Sequence, residues 1–234
     1  AHGVTVPTGT SIATGSTESA TNVGTYNVVL TLNDSKNYTW SDGLVENKTI
    51  SWKIVQTSIK TPPTGVTVTV DLAFTSVDFN GSAQKPNVTV KINSTVISSD
   101  NFDVTYANNV SVGTATVTIT GKNNLKDSVT RSFTIKAVGY TISYDYASGT
   151  APTTGNPTTY DVSATAQTLT LNEPTRKGYT FSGWTLTNTA STSKATVSGN
   201  TVTIPANSYG NFKLTAKWTI IEYTITYNLD NGTV

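Results

Sequence analysis

Apolar residues fall on every second position from Gly24 to Leu32 (GTYNVVLTL), where Tyr26, Val28 and Leu30 alternate with polar neighbours. A period of two places alternate side chains on opposite faces of a strand, so this segment is predicted to be a half-buried β-strand. The same alternation recurs at Thr49–Ile54 (TISWKI), Gly65–Val70 (GVTVTV), Asn87–Ile92 (NVTVKI), Asn101–Tyr106 (NFDVTY), Gly113–Thr120 (GTATVTIT) and Ser132–Lys136 (SFTIK). Between these strands lie Asn80-Gly81, Asn108-Asn109 and Gly121–Asn124 (GKNN), residues that tolerate the positive φ of tight turns. No stretch carries the i, i+3, i+4, i+7 spacing of a helix. Short strands with turn signals about every ten residues predict an all-β protein built of small sandwiches.

The pattern breaks at Gln56–Gly65 (QTSIKTPPTG), where Pro62 and Pro63 oppose regular pairing, at Lys136–Gly139 (KAVG) and at Thr219–Glu222 (TIIE). These breaks predict modules at 1–57, 62–137 and 139–219, followed by the start of a further repeat at 220–234. Each is near the lower size limit for a self-sufficient core. Val23–Leu32 (VGTYNVVLTL) aligns with Val112–Gly121 (VGTATVTITG), and Ser51–Ile54 (SWKI) with Ser132–Ile135 (SFTI). The first two modules are therefore related, and the first has the longer connection, containing Asn33–Gly43 (NDSKNYTWSDG). Its N-terminal part offers only one or two weak strands, so the module is expected to be truncated or reduced. The tail Glu222–Val234 (EYTITYNLDNGTV) repeats Gly139–Thr150 (GYTISYDYASGT), as a segment cut from a tandem array would. Alone, that strand is expected to be disordered or to pair with the exposed edge of a neighbour.

Composition narrows the function. Thr makes up about one residue in five, which suits pleated, half-solvated surfaces. Fifteen Lys and Arg balance fourteen Asp and Glu for a net charge of +1, so there is no basic cluster to hold nucleic acid. With no cysteine there are no disulfides, thiolate metal sites or thiol nucleophiles. No apolar run is long enough for membrane insertion. The single histidine, His2, lies near the N-terminus, which leaves no Ser-His-Asp arrangement and no His-rich metal site. No cofactor is expected, and the chain reads as non-enzymatic.

Two stretches resemble known families. Val77–Lys136 contains Phe79–Gly81, Lys85–Val90, Asn101–Tyr106, Asn108-Asn109, Val112–Gly121 and Phe133–Ile135. These resemble, in order, the aromatic-x-G, K-P-x-V-x-V, D-Y/F-x-V-x-Y, N-N, V-G-T-A-x-V-T-I-x-G and F-x-I elements of Ig-like repeats in large bacterial surface proteins. Tyr140–Thr219, with its P-T-x-x-G-Y-x-F-x-G-W centre at Pro174–Trp184 and A-K-W end at Ala216–Trp218, resembles the Listeria–Bacteroides repeat, also called the internalin B-repeat. That resemblance implies a β-grasp, ubiquitin-like unit: a small mixed sheet with at most a short helix. Together the two imply an elongated, monomeric stalk or adhesive region at the surface or cell wall of a Gram-positive bacterium.

Few residues are candidates for chemistry. Trp184 and Trp218 could form a sugar platform, but with Tyr179 and Phe181 they read better as the core of a module too small to build one from aliphatics. Trp40 differs because it sits in a polar loop; with Tyr38 and Tyr209 it is a candidate contact for a protein or glycan ligand. Asp34 and Asp42, with Asn33 and Asn37, could offer oxygens to Ca²⁺, although their spacing reads better as a solvated turn. The alternative function is a carbohydrate- or protein-binding module of a secreted multidomain enzyme.

Overall fold

The computed structural model describes residues 6–227. The protein is all-β; among the described residues the one helical element is a 3-10 turn at Ser99–Asn101, capped by the Ser98 hydroxyl accepting from the Asp100 amide. Strands form at Gly24–Leu32, Lys48–Ile54, Val88–Ile92, Phe102–Ala107 and Gly113–Gly121, where alternation predicts them. Two predictions shift. GVTVTV begins pairing only at Val68, because the Val66 amide donates to the Pro63 carbonyl and closes a turn first. SFTIK is the end of a longer strand, Ser128–Lys136, whose polar start is held through Ser128 to Thr120 and Thr130 to Thr118 hydroxyl pairs. Such cross-strand polar pairs stabilise a strand where Arg131 interrupts the apolar alternation of Val129, Phe133 and Ile135.

The chain divides into two compact units. One takes in the described residues up to Ala73 together with Pro86–Tyr106 and Val117–Arg131; the other comprises Phe74–Lys85, Ala107–Thr116 and the chain from Ser132 onward.

In the first unit, Gly24–Leu32 is the centre of an antiparallel sheet between Thr10–Ile12 and Lys48–Ile54. Val28 and Leu30 are buried on one face, and Tyr26 stands opposite Trp52 with ring centroids 4.9 Å apart. A second antiparallel sheet joins Val68–Leu72, Val88–Ile92 and Thr95–Val96, burying Val70 and Val90. The stretch Gln56–Gly65 is more structured than its prolines suggest. Thr57–Ser58 pairs in parallel with Leu125–Lys126, Ile59 and Leu125 are buried, and the Gln56 side chain donates to the carbonyls of Asn123 and Leu125. A proline removes only its own amide from pairing, and Pro62 and Pro63 lie beyond the bonded residues.

In the second unit, a four-stranded sheet has the order Thr159–Asp161, Gly139–Asp145, Phe212–Ile220, Tyr179–Asn188. Its central pair is parallel and both outer pairs are antiparallel. A smaller antiparallel sheet of Gln167–Thr170, Thr201–Ile204 and Thr196–Ser198 shares a core with it, centred on Ile142, Trp184, Val202, Ile204, Phe212 and Leu214. Elsewhere in this unit Ser76–Asp78 pairs in parallel with Thr134–Lys136, and Phe74 meets the buried Phe133 edge-on at 5.7 Å. Past Ile220 the Ile221 amide donates to the Gly178 carbonyl; residues 222–227 then join no strand among the described residues, leaving Tyr223, Ile225 and Tyr227 exposed. The rest of the expected repeat start, residues 228–234, lies outside the described residues.

Candidate functional site

The loop between Leu32 and Lys48 is polar in sequence but tightly tied in structure. Asp34 closes its first corner: one carboxylate oxygen accepts from the amides of Lys36 and Asn37 at 3.1 and 3.2 Å, the other from the Asn37 side-chain amide at 2.7 Å, and the Asp34 carbonyl accepts from the Tyr38 amide. This is the Asx turn that short acidic side chains favour. The second corner is closed by reciprocal backbone bonds: the Trp40 amide donates to Leu44, and the Gly43 amide to Trp40, both at 2.9 Å. Asp42 accepts from the Leu44 amide and from the Lys48 ammonium. The Trp40 indole N–H donates to the Glu46 carbonyl at 2.6 Å, which fixes the ring.

These bonds also set the electrostatics. The Asn37 side chain holds the Asp34 carboxyl below the usual carboxylate range, and the Lys48 side chain does the same for Asp42. Both carboxylates are thereby engaged by the loop itself. Among the described residues, no three His, Cys, Asp or Glu side chains gather closely enough to hold a metal ion.

Tyr38 and Trp40 face a cleft of about 460 Å³ whose other apolar walls are Pro7 and Leu32. Exposed Thr8, Thr39 and Ser41 bring hydroxyls to it, and among the described residues no carboxylate or ammonium lines it. The far wall is pinned in place: the Asn33 amide donates to the Gly9 carbonyl at 3.1 Å and the Thr10 hydroxyl to the Pro7 carbonyl at 2.7 Å. Tyr38 is 61% exposed and Trp40 half-buried. Periodicity offers no means of finding Pro7 or Leu32 as partners of this loop, because the pairing of Thr10 with Leu32 is what brings them together.

Tyr209 lies in the other unit. Its half-buried ring meets the buried Phe79 edge-on at 5.3 Å and Tyr140 at 6.2 Å, and it covers the Cα of Gly81. Its ring is thus engaged in packing, unlike that of Tyr38. The tryptophans of the third module are packed as well. Trp184 is 4% exposed and surrounded by Phe181, Tyr144 and Tyr146 at 5.3 to 6.1 Å; its indole N–H finds no acceptor among the described residues. Trp218 donates its indole N–H to the Tyr146 carbonyl at 3.0 Å and lies against Gly149, and burial followed by the nearby Tyr146 pushes the Tyr144 phenol up to about 12.

No helix among the described residues is long and apolar enough to cross a membrane. No curated protein and no solved structure matches the chain. Residues 140–217, about a third of the chain, match the family model of the Listeria-Bacteroides repeat domain, and this similarity supports a bacterial surface repeat protein.

Proposed function

We propose that the chain is a non-catalytic stalk or adhesive region of a bacterial cell-surface protein, spacing or presenting binding domains and making contacts of its own. The observation that carries this reading is the Listeria-Bacteroides repeat match at residues 140–217, since such repeats occur in bacterial surface proteins. In this reading 139–219 is a β-grasp repeat, supported by the mixed sheet with its central parallel pair of Ile142–Asp145 and Phe212–Thr215. The two preceding modules are Ig-like, supported by their shared closing segments. Small units joined by short connections transmit length with limited bending, which is what a spacer requires. A non-enzymatic role is supported by the use of ionisable groups: Asp42, Asp71, Asp103, Asp78 and Asp145 each form an ion pair with a lysine at the surface. Brief protease shaving of intact cells that express the parent protein tests the reading. Peptides from residues 24–218 are expected in the supernatant, and recovery only from lysed cells would overturn it.

A second reading, a binding module of a secreted multidomain enzyme, is favoured by the Tyr38–Trp40 cleft. A catalytic domain in the same open reading frame would move the assignment to it.

A further inference from the structure

We infer that the Tyr38–Trp40 cleft binds an uncharged sugar of the glucose type, a pyranose whose ring substituents are all equatorial. The inference rests on the reading of the chain as a surface region with contacts of its own, and supplies the chemistry of one of them. A pyranose of this kind is amphipathic in a specific way: its hydroxyls project from the rim, and its two faces present C–H groups. Such a ring needs a flat apolar surface beneath it and uncharged hydrogen-bonding groups around it.

The cleft offers both. Tyr38 presents an exposed aromatic ring, while Trp40, Pro7 and Leu32 supply further apolar surface. The one polar group on the indole is already bonded to Glu46, so Trp40 can present only ring surface to a ligand. Around this floor, Thr8, Thr39 and Ser41 carry hydroxyls able both to donate and to accept. With no charged side chain in the lining among the described residues, a uronate, sialate or phosphate would lose hydration without gaining a counter-charge there. The volume of about 460 Å³ falls within the range of small-molecule sites. A protein partner is less well matched, because a specific protein interface needs roughly 800 Å² from each side with an apolar centre.

The loop is also fixed in advance. Asp34 and Asp42 close its two corners, and the Glu46 carbonyl holds the indole, so binding need not freeze the loop. Sites on preorganised loops lose less affinity to ordering.

The test is a titration of the whole chain with cellotetraose, chitotetraose and a charged oligogalacturonate, followed by the four indole N–H signals in proton–nitrogen spectra. The signal of Trp40 is expected to move with at least one neutral oligosaccharide at millimolar concentration, with those of Trp52, Trp184 and Trp218 unmoved and the uronate silent. Tyr38→Ala should weaken binding about tenfold or more, as loss of a central aromatic contact does, while Tyr38→Phe retains it. Because Tyr38 is exposed, its removal leaves the fold in place, which the unchanged Trp52 and Trp184 signals verify. A Trp40 signal indifferent to both neutral probes overturns the inference, as does equal binding by Tyr38→Ala or a stronger response to the uronate. Protease shaving is independent of these outcomes, so surface exposure with no sugar response rejects the ligand class and leaves the surface reading standing.

Discussion

Tyr209 and Gly81 make a single contact that can be tested by a double-mutant cycle. The Tyr209 ring packs edge-on against Phe79 at 5.3 Å and tilted against Tyr140 at 6.2 Å. Aromatic pairs are worth about 0.5–1.5 kcal/mol each beyond their area, so Tyr209→Ala should destabilise the second unit by about 2 kcal/mol. Tyr209→Phe retains both ring contacts and should remain within about 0.5 kcal/mol of the parent. Gly81 has a φ of +77°, and a Cβ there would run into the Tyr209 ring. Gly81→Ala therefore combines about 1 kcal/mol of left-handed backbone strain with about 1–2 kcal/mol for displacing the ring from Phe79. Once Tyr209 is Ala, the obstruction is gone and only the backbone strain remains. The effects of the two substitutions should consequently fall short of additivity by about 1–2 kcal/mol. Urea denaturation of the four proteins, monitored by tryptophan fluorescence, measures the cycle. Additivity within about 0.5 kcal/mol would refute the contact as the reason for glycine at position 81.

Three further outcomes are expected. A Cβ at Gly149 would strike Trp218 and crowd the carbonyls of Tyr146 and Thr175, so Gly149→Ala should destabilise the repeat by about 1–3 kcal/mol in the same denaturation assay, and a neutral effect would contradict the packing. Hydrogen bonds from Asn37 and Lys48 depress the Asp34 and Asp42 values in the folded loop. Their contribution is complete above the unfolded carboxylate value of about 3.9 and is lost as pH falls through the lowered folded values. The protection that the closed loop gives the Trp40 indole proton against exchange should thus be constant from neutral pH down to that point and fall below it; a loop equally protected in strong acid would exclude this role. Truncation after Glu222 should change stability by less than about 0.5 kcal/mol, since Tyr223, Ile225 and Tyr227 are exposed, and a large fall in melting temperature would show that the tail is part of the fold.

Strand alternation is a local property, and residues such as Val28 and Leu30 reveal their burial through their spacing alone. The sequence by itself therefore determined the all-β class and the positions of the long strands. It also carried the resemblance of the third module, because the motif aromatics Phe181, Trp184 and Trp218 pack against one another and so stand at set positions along the chain. Other features were legible only in three dimensions. In Ser128–Lys136 the alternation of Val129, Phe133 and Ile135 is interrupted by Arg131, so the Ser- and Thr-paired start of the strand is hard to read from its period. Thr57–Ser58 pairs with a segment far away in the chain, and no local pattern announces a two-residue partner. Tyr38, Trp40 and Tyr209 look alike in sequence, as aromatics among polar neighbours. Only tertiary contacts separate them: Phe79 and Gly81 occupy the ring of Tyr209, whereas Pro7 and Leu32 form a cleft around Tyr38 and Trp40. An aromatic side chain becomes core or contact according to what approaches it from elsewhere in the chain, and that approach is set by the pairing of distant strands.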